Sequence, residues 1–151
     1  MRLMITFLII FSSCDMNKSD KNLKQDQIEI EAIKEILTTQ QNYWNNGDID
    51  GFMLGYWNSK DLVFTSLKHE PTYGWQATLE RYKISYPTKS KMGNLKFQIL
   101  NTKLTTLKTA TLKGKWELIR KEDNPKGMFW LELEKFNTKW LITKDSTLSF
   151  E

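Results

Sequence analysis

Ile30, Ile33, Leu37 and Trp44 recur at steps of three, four and seven between about Gln27 and Asn46, with Gln40 in the same register and polar residues around them. That spacing predicts a long amphipathic helix with one stripe against a core. Gly47 can adopt the left-handed conformation that closes a helix, and Asp48 can accept a backbone N–H to open another, so Ile49–Tyr56 is expected as a short second helix. Leu62–Ser66 is rich in strand formers, and Glu70–Tyr73 is expected to return as a hairpin. Trp75, Leu79, Tyr82 and Tyr86 then share one face of a third helix that opens at Gly74 and stops at Pro87, with Thr88–Gly93 expected as a loop.

Beyond Gly93 the period of the pattern falls to two. Leu95, Phe97 and Ile99 alternate with Lys96 and Gln98, and Ala110, Leu112, Gly114, Trp116, Leu118 and Arg120 mark one face of a long strand. After the polar turn Lys121–Gly127, Phe129, Leu131 and Leu133 alternate with Glu132 and Glu134. A last strand, Lys139–Ser149, follows the Asn137-Thr138 turn and carries Trp140, Ile142, Asp145 and Ser146. Three helices followed by an antiparallel meander make an α+β pattern, in which a curved sheet can wrap around the helices.

Length and composition narrow the picture. The 151 residues suffice for one domain with a proper core. The net charge of +4 is spread over 22 basic and 18 acidic residues with no basic run, which argues against a nucleic-acid partner. Six Trp residues are high for this length and point to aromatic packing or an aromatic-lined cavity. At the N-terminus, Met1-Arg2 is followed by the apolar stretch Leu3–Phe11 and by Phe11-Ser-Ser-Cys14. This resembles a bacterial lipoprotein signal, with Phe where Leu is usual. It predicts a signal peptide over 1–13, lipidation of Cys14 at the cell envelope, a disordered polar tether over 14–26 and one domain over 27–151. The apolar stretch is shorter than the roughly 20 residues needed to span a bilayer. Cys14 is the one cysteine, so no disulfide is expected.

Several landmarks, in this order and spacing, resemble the nuclear transport factor 2-like superfamily in its SnoaL-like bacterial branch. They are Trp44-Asn45, Gly47-Asp48-Ile49, Tyr56-Trp57, Phe64, Gly74-Trp75, Arg81-Tyr82-Lys83, Tyr86-Pro87, Gly114-Lys-Trp116-Glu-Leu118, Gly127-Met-Phe129 and Trp140-Leu-Ile142 with Asp145. The resemblance runs from about Ile28 to the C-terminus. It implies a cone in which three N-terminal helices pack in a strongly curved, mainly antiparallel sheet around a pocket open at one end. Members of the superfamily are isomerases, dehydratases or cyclases, or bind ligands and dimerise without catalysis. Relatives typically end in Asp-His-Thr-Ser, whereas this chain reads Asp145-Ser146-Thr147-Leu148, so a role for that histidine does not carry over.

The expected ligand pocket comprises Trp44, Tyr56, Trp57, Phe64, Trp75, Tyr82, Trp116, Arg120, Phe129 and Asp145. Aromatic rings with polar edges suit a mainly apolar ligand, and the competing reading of each ring is plain core packing. Arg120 can meet a ligand carboxylate or, equally, Glu132 across the sheet. Asp145 is the candidate catalytic residue: a carboxyl buried among rings can work as an acid or base, or it can simply hold a strand end. His69 is expected in the hairpin turn as a solvated side chain. With no second histidine and no acid cluster, neither a metal nor another cofactor is expected. The leading reading is a lipid-anchored envelope module that binds a small apolar or amphipathic molecule, as a homodimer through the sheet. The alternative is a small isomerase, dehydratase or cyclase that uses Asp145.

Overall fold

The computed structural model describes residues 14–67 and 69–150, with side chains from Ser19 onward. The expected signal peptide and the side chain of Cys14 lie outside the described residues. Helix α1 (Cys14–Asn45) leads into α2 (Ile49–Phe52) and a 3₁₀ turn, Met53–Gly55. A hairpin of β1 (Val63–Ser66) and β2 (His69–Tyr73) precedes α3 (Trp75–Ser85) and the short α4 (Lys89–Met92). Four strands of equal length complete the chain: β3 (Asn94–Leu104), β4 (Thr109–Ile119), β5 (Lys126–Phe136) and β6 (Lys139–Ser149). All six strands form one sheet in the order β2-β1-β6-β5-β4-β3.

The helix corner forms as its residues require. Gly47 has φ 81°, and the N–H of Gly51 donates to Asp48 Oδ1 at 2.7 Å. Ile33, Leu37, Gln40 and Trp44 of α1 are buried and Ile30 is partly buried, so the predicted stripe is the packed one. Burying each large apolar side chain contributes roughly 1.5–3 kcal/mol.

Two expectations change. Residues 14–26, read as a disordered tether, continue α1, because neither Pro nor Gly interrupts the chain before Gly47. This extension is solvent-exposed from Ser19 to Ile28. The expected loop 88–93 contains α4, capped by Thr88 Oγ1, which accepts from the Lys91 N–H at 3.3 Å. The sheet is mainly antiparallel, as expected, and its parallel pairing joins β1 to β6, Phe64 beside Asp145 and Ser66 beside Thr147. The connection from β1 to β6 includes α3, α4 and four intervening strands, which is why no local pattern announced it.

One irregularity decides which face of β6 lines the interior. Leu131 pairs with Asp145 and Glu132 with Lys144, but Leu133 pairs with Ile142, which leaves Thr143 as an extra residue. A strand alternates faces every residue, so one inserted residue exchanges the faces beyond it. Trp140 and Ile142 point inward before the bulge, and Asp145 is buried after it. An unbroken alternation would have turned Lys144 and Ser146 inward instead. Thr143 Oγ1 fastens the bulge by donating to the Glu132 carbonyl at 3.2 Å.

Candidate functional site

Between the concave face of the sheet and the helices lies a cavity of about 450 Å³. Leu37, Leu118 and Leu131 are buried in its floor, whereas Leu67, His69, Ser85 and Ser149 are exposed and mark its opening. A size of this order suits a small organic molecule. Gly114 keeps the wall flat, since a Cβ there would run into the Phe129 ring.

Seven of the ten residues expected in the pocket line this cavity: Trp44, Tyr56, Phe64, Tyr82, Trp116, Phe129 and Asp145. Edge-to-face contacts hold the rings, with Trp44 5.1 Å from Phe52 and 4.8 Å from Tyr86, and Tyr82 5.2 Å from Phe52 and 5.8 Å from Phe64. The ring edges are also fixed: Trp44 Nε1 donates to the Met92 carbonyl at 3.1 Å, and Trp116 Nε1 to Thr147 Oγ1 at 3.0 Å. These rings are pre-ordered, so a ligand entering the cavity loses little side-chain entropy on their account.

The other three residues are placed elsewhere. Trp57 stacks on Phe136 with centroids 5.0 Å apart. Trp75 is half-buried and donates its Nε1–H to the Met53 carbonyl at 3.0 Å, tying α3 to the 3₁₀ turn. Arg120 is held by Asp123 at 2.7 Å and donates to the Lys91 carbonyl at 2.9 Å, so it closes a loop. Its alternative partner, Glu132, takes Lys144 at 3.1 Å. His69 is exposed, as expected, but it opens β2 and stands at the rim of the cavity.

Asp145 is the chemical centre of the wall, 6% exposed. Its Oδ2 accepts from the Tyr56 hydroxyl at 2.7 Å, while its buried Oδ1 has no partner. Burial disfavours the charged carboxylate and pushes its pKa from 3.8 up to about 6, against the opposing pull of the Tyr56 hydrogen bond. Tyr56 lies 3.3 Å from the Tyr82 hydroxyl. Burial, and then the charge of Asp145, hold both phenols well above 10, so they remain neutral donors.

Solved structures place this arrangement among known proteins. An NTF2-like protein of unknown function from Shewanella oneidensis MR-1 is 38% identical, with a TM-score of 0.75 over 78% of this chain and 97% of that one. The chain belongs to the NTF2-like family. A ketosteroid isomerase-like protein from Erwinia carotovora atroseptica SCRI1043 shares the fold at TM-score 0.69 and 17% identity, over 82% of this chain and 97% of that chain. An NTF2-like protein with a cystatin-like fold from Novosphingobium aromaticivorans matches at TM-score 0.67 and 10% identity, over 93% of this chain and 92% of the other. No protein-family model and no curated protein matches the sequence. The cone expected for the NTF2-like fold, a curved sheet around N-terminal helices, is the architecture observed.

Sequence reasoning left Phe52, Tyr86, Phe97, Gln40, Thr147 and Arg81 out of the pocket set. For Tyr86 the signal existed, since it shares the α3 face of Tyr82. For Thr147 it did not, because the bulge at Thr143 sets its face.

Proposed function

We propose that this NTF2-like protein binds a small, mainly apolar molecule in the cone and orients it by a hydrogen bond to Asp145. The observation that carries this is the partnerless Oδ1 of Asp145 in the wall of a 450 Å³ cavity. A buried acceptor without a donor costs on the order of 1–3 kcal/mol, which a ligand hydroxyl or N–H recovers on entry. We further propose that the chain is carried on a lipidated Cys14 at the bacterial cell envelope. The Met1–Cys14 pattern supports this, and the exposed stretch of α1 from Ser19 to Ile28 supplies a spacer. A homodimer through the sheet is proposed on the outer face of β5, where Trp130 is 41% exposed with Lys113 over its ring. Native mass spectrometry of the gently purified protein tests the binding reading. A small molecule released on mild activation is expected, and a bare mass that no added medium-chain alcohol changes would remove the reading.

A second reading has its own observation. A carboxyl with pKa about 6 beside a neutral phenol can take a proton from carbon while the phenol stabilises the resulting oxyanion. On this reading the protein is an isomerase, dehydratase or cyclase, and Asp145→Asn abolishes turnover of an identified substrate without unfolding the chain. Full turnover by that variant would discard it.

A further inference from the structure

Arg81 brings a positive charge to the opening of the cavity, and no protein carboxylate meets it among the described residues. Its Nη1 and Nη2 donate to Thr72 Oγ1 and Ser66 Oγ, both neutral acceptors and both at 3.3 Å. Hydrogen bonds from a guanidinium to an anionic oxygen run at roughly 2.7–2.9 Å, so both contacts are long. The guanidinium carbon lies over the Phe64 ring, 4.9 Å from its centroid, a cation–π contact that keeps the group at the wall. Ser66 and His69, both lining the cavity, stand at the same end.

Arg81 does not neutralise Asp145. The carboxyl has Tyr56 as its hydrogen-bond partner, and the parallel register puts it beside Phe64, two residues before Ser66. Two residues of strand are about 7 Å. The cavity therefore has two separate polar stations, a buried carboxyl on the wall and a guanidinium at the opening, with aromatic rings between them.

We infer that the ligand is an anionic amphiphile whose carboxylate or phosphate head is gripped by the fork of Arg81, with its apolar body running into the cone. This rests on the binding reading and adds the chemical class of the ligand. The planar fork matches two oxygens of such a head, and the mobile hydroxyls of Ser66 and Thr72 can rotate to donate to it. An ammonium head would meet the wrong sign of charge there, and a neutral head would leave the guanidinium as it is.

The test compares octanoate with 1-octanol, equal in chain length and different in charge, by calorimetric titration of the wild type, Arg81→Gln and Arg81→Lys at pH 7.5. Octanoate is expected to bind the wild type about tenfold more tightly or better, the worth of a charge-assisted contact. Arg81→Gln should bring the two affinities together by weakening octanoate alone, and Arg81→Lys, a point charge without the fork, should retain part of the preference. Equal affinities in the wild type, or a preference that survives in Arg81→Gln, would overturn the anionic head while leaving a cavity that binds apolar molecules. If neither probe binds the wild type, the cavity reading fails and this inference fails with it.

Discussion

Strand β6 meets one carboxylate near its start and carries another near its middle, and the two are treated in opposite ways. Near the start, Trp140 Nε1 donates to Glu29 of α1 at 2.7 Å, and Lys135 Nζ donates to the same carboxylate at 2.6 Å. These two donors, Lys135 first, hold the Glu29 pKa below its ordinary 4.5. Five residues past Trp140, Asp145 receives one phenol on one oxygen and nothing on the other. Both groups sit against the same helix-and-sheet core. What separates them is the deeper burial of Asp145 together with the number of donors turned toward each, and Asp145 lines the cavity. A carboxylate with a full set of donors fastens a fold, whereas one left short is available to a ligand at a cost in stability.

The sharpest way to break this contrast is to remove each charge and read stability against pH. For Asp145 the folded pKa is raised, so the protonated form is favoured by folding; its contribution is complete below about pH 4, declines as pH rises to about 6 and is flat above. A shift of this size corresponds to roughly 2–3 kcal/mol against the ionised folded state. Asp145→Asn should therefore raise stability by roughly 1–3 kcal/mol at pH 8 in urea unfolding, allowing for the cost of burying the amide, with little gain at pH 4. Destabilisation at pH 8 would show that the carboxylate is a structural partner like Glu29.

Glu29→Gln is expected to have the smaller effect and the opposite sign. Its folded pKa is lowered, so its contribution is present above about pH 4.5 and lost as pH falls through the folded value. Losing the charge from a contact with Lys135 and Trp140 should cost about 1–2 kcal/mol at pH 7 and almost nothing at pH 3. Equal losses at both pH values would mean that shape, and not charge, fastens α1 to the sheet.

The two arginines repeat the lesson. Arg120 shares a strand face with Trp116 and so pointed to the pocket from sequence, yet it lies beyond the last paired position of β4 and folds back on Asp123 three residues later. Arg81 entered the sequence reading as one of the family landmarks and not as a pocket residue, and it is β1 and β2 that bring the hydroxyls of Ser66 and Thr72 up to it. Trp57 and Trp75 show the same limit among the rings. Nothing in a tryptophan's spacing says whether its indole N–H will meet a backbone carbonyl or its face a cavity.

By itself the sequence determined most of the elements and the buried faces of α1, β4 and β5. The three-and-four spacing of α1, the caps at Gly47 and Asp48 and the alternation in β4 and β5 are local properties, fixed by chain geometry within a few residues. Tertiary structure alone decided the pairing of β1 with β6, the extra residue at Thr143 that turns Asp145 inward, and the placing of Arg81 beside an open cavity. The first and last of these depend on residues 15 to 81 positions apart, as in the contact of Arg81 with Ser66 and the pairing of Phe64 with Asp145, and the bulge depends on the register between β5 and β6. Such contacts are selected by the energy of the whole packed domain, and no short window of sequence contains both partners.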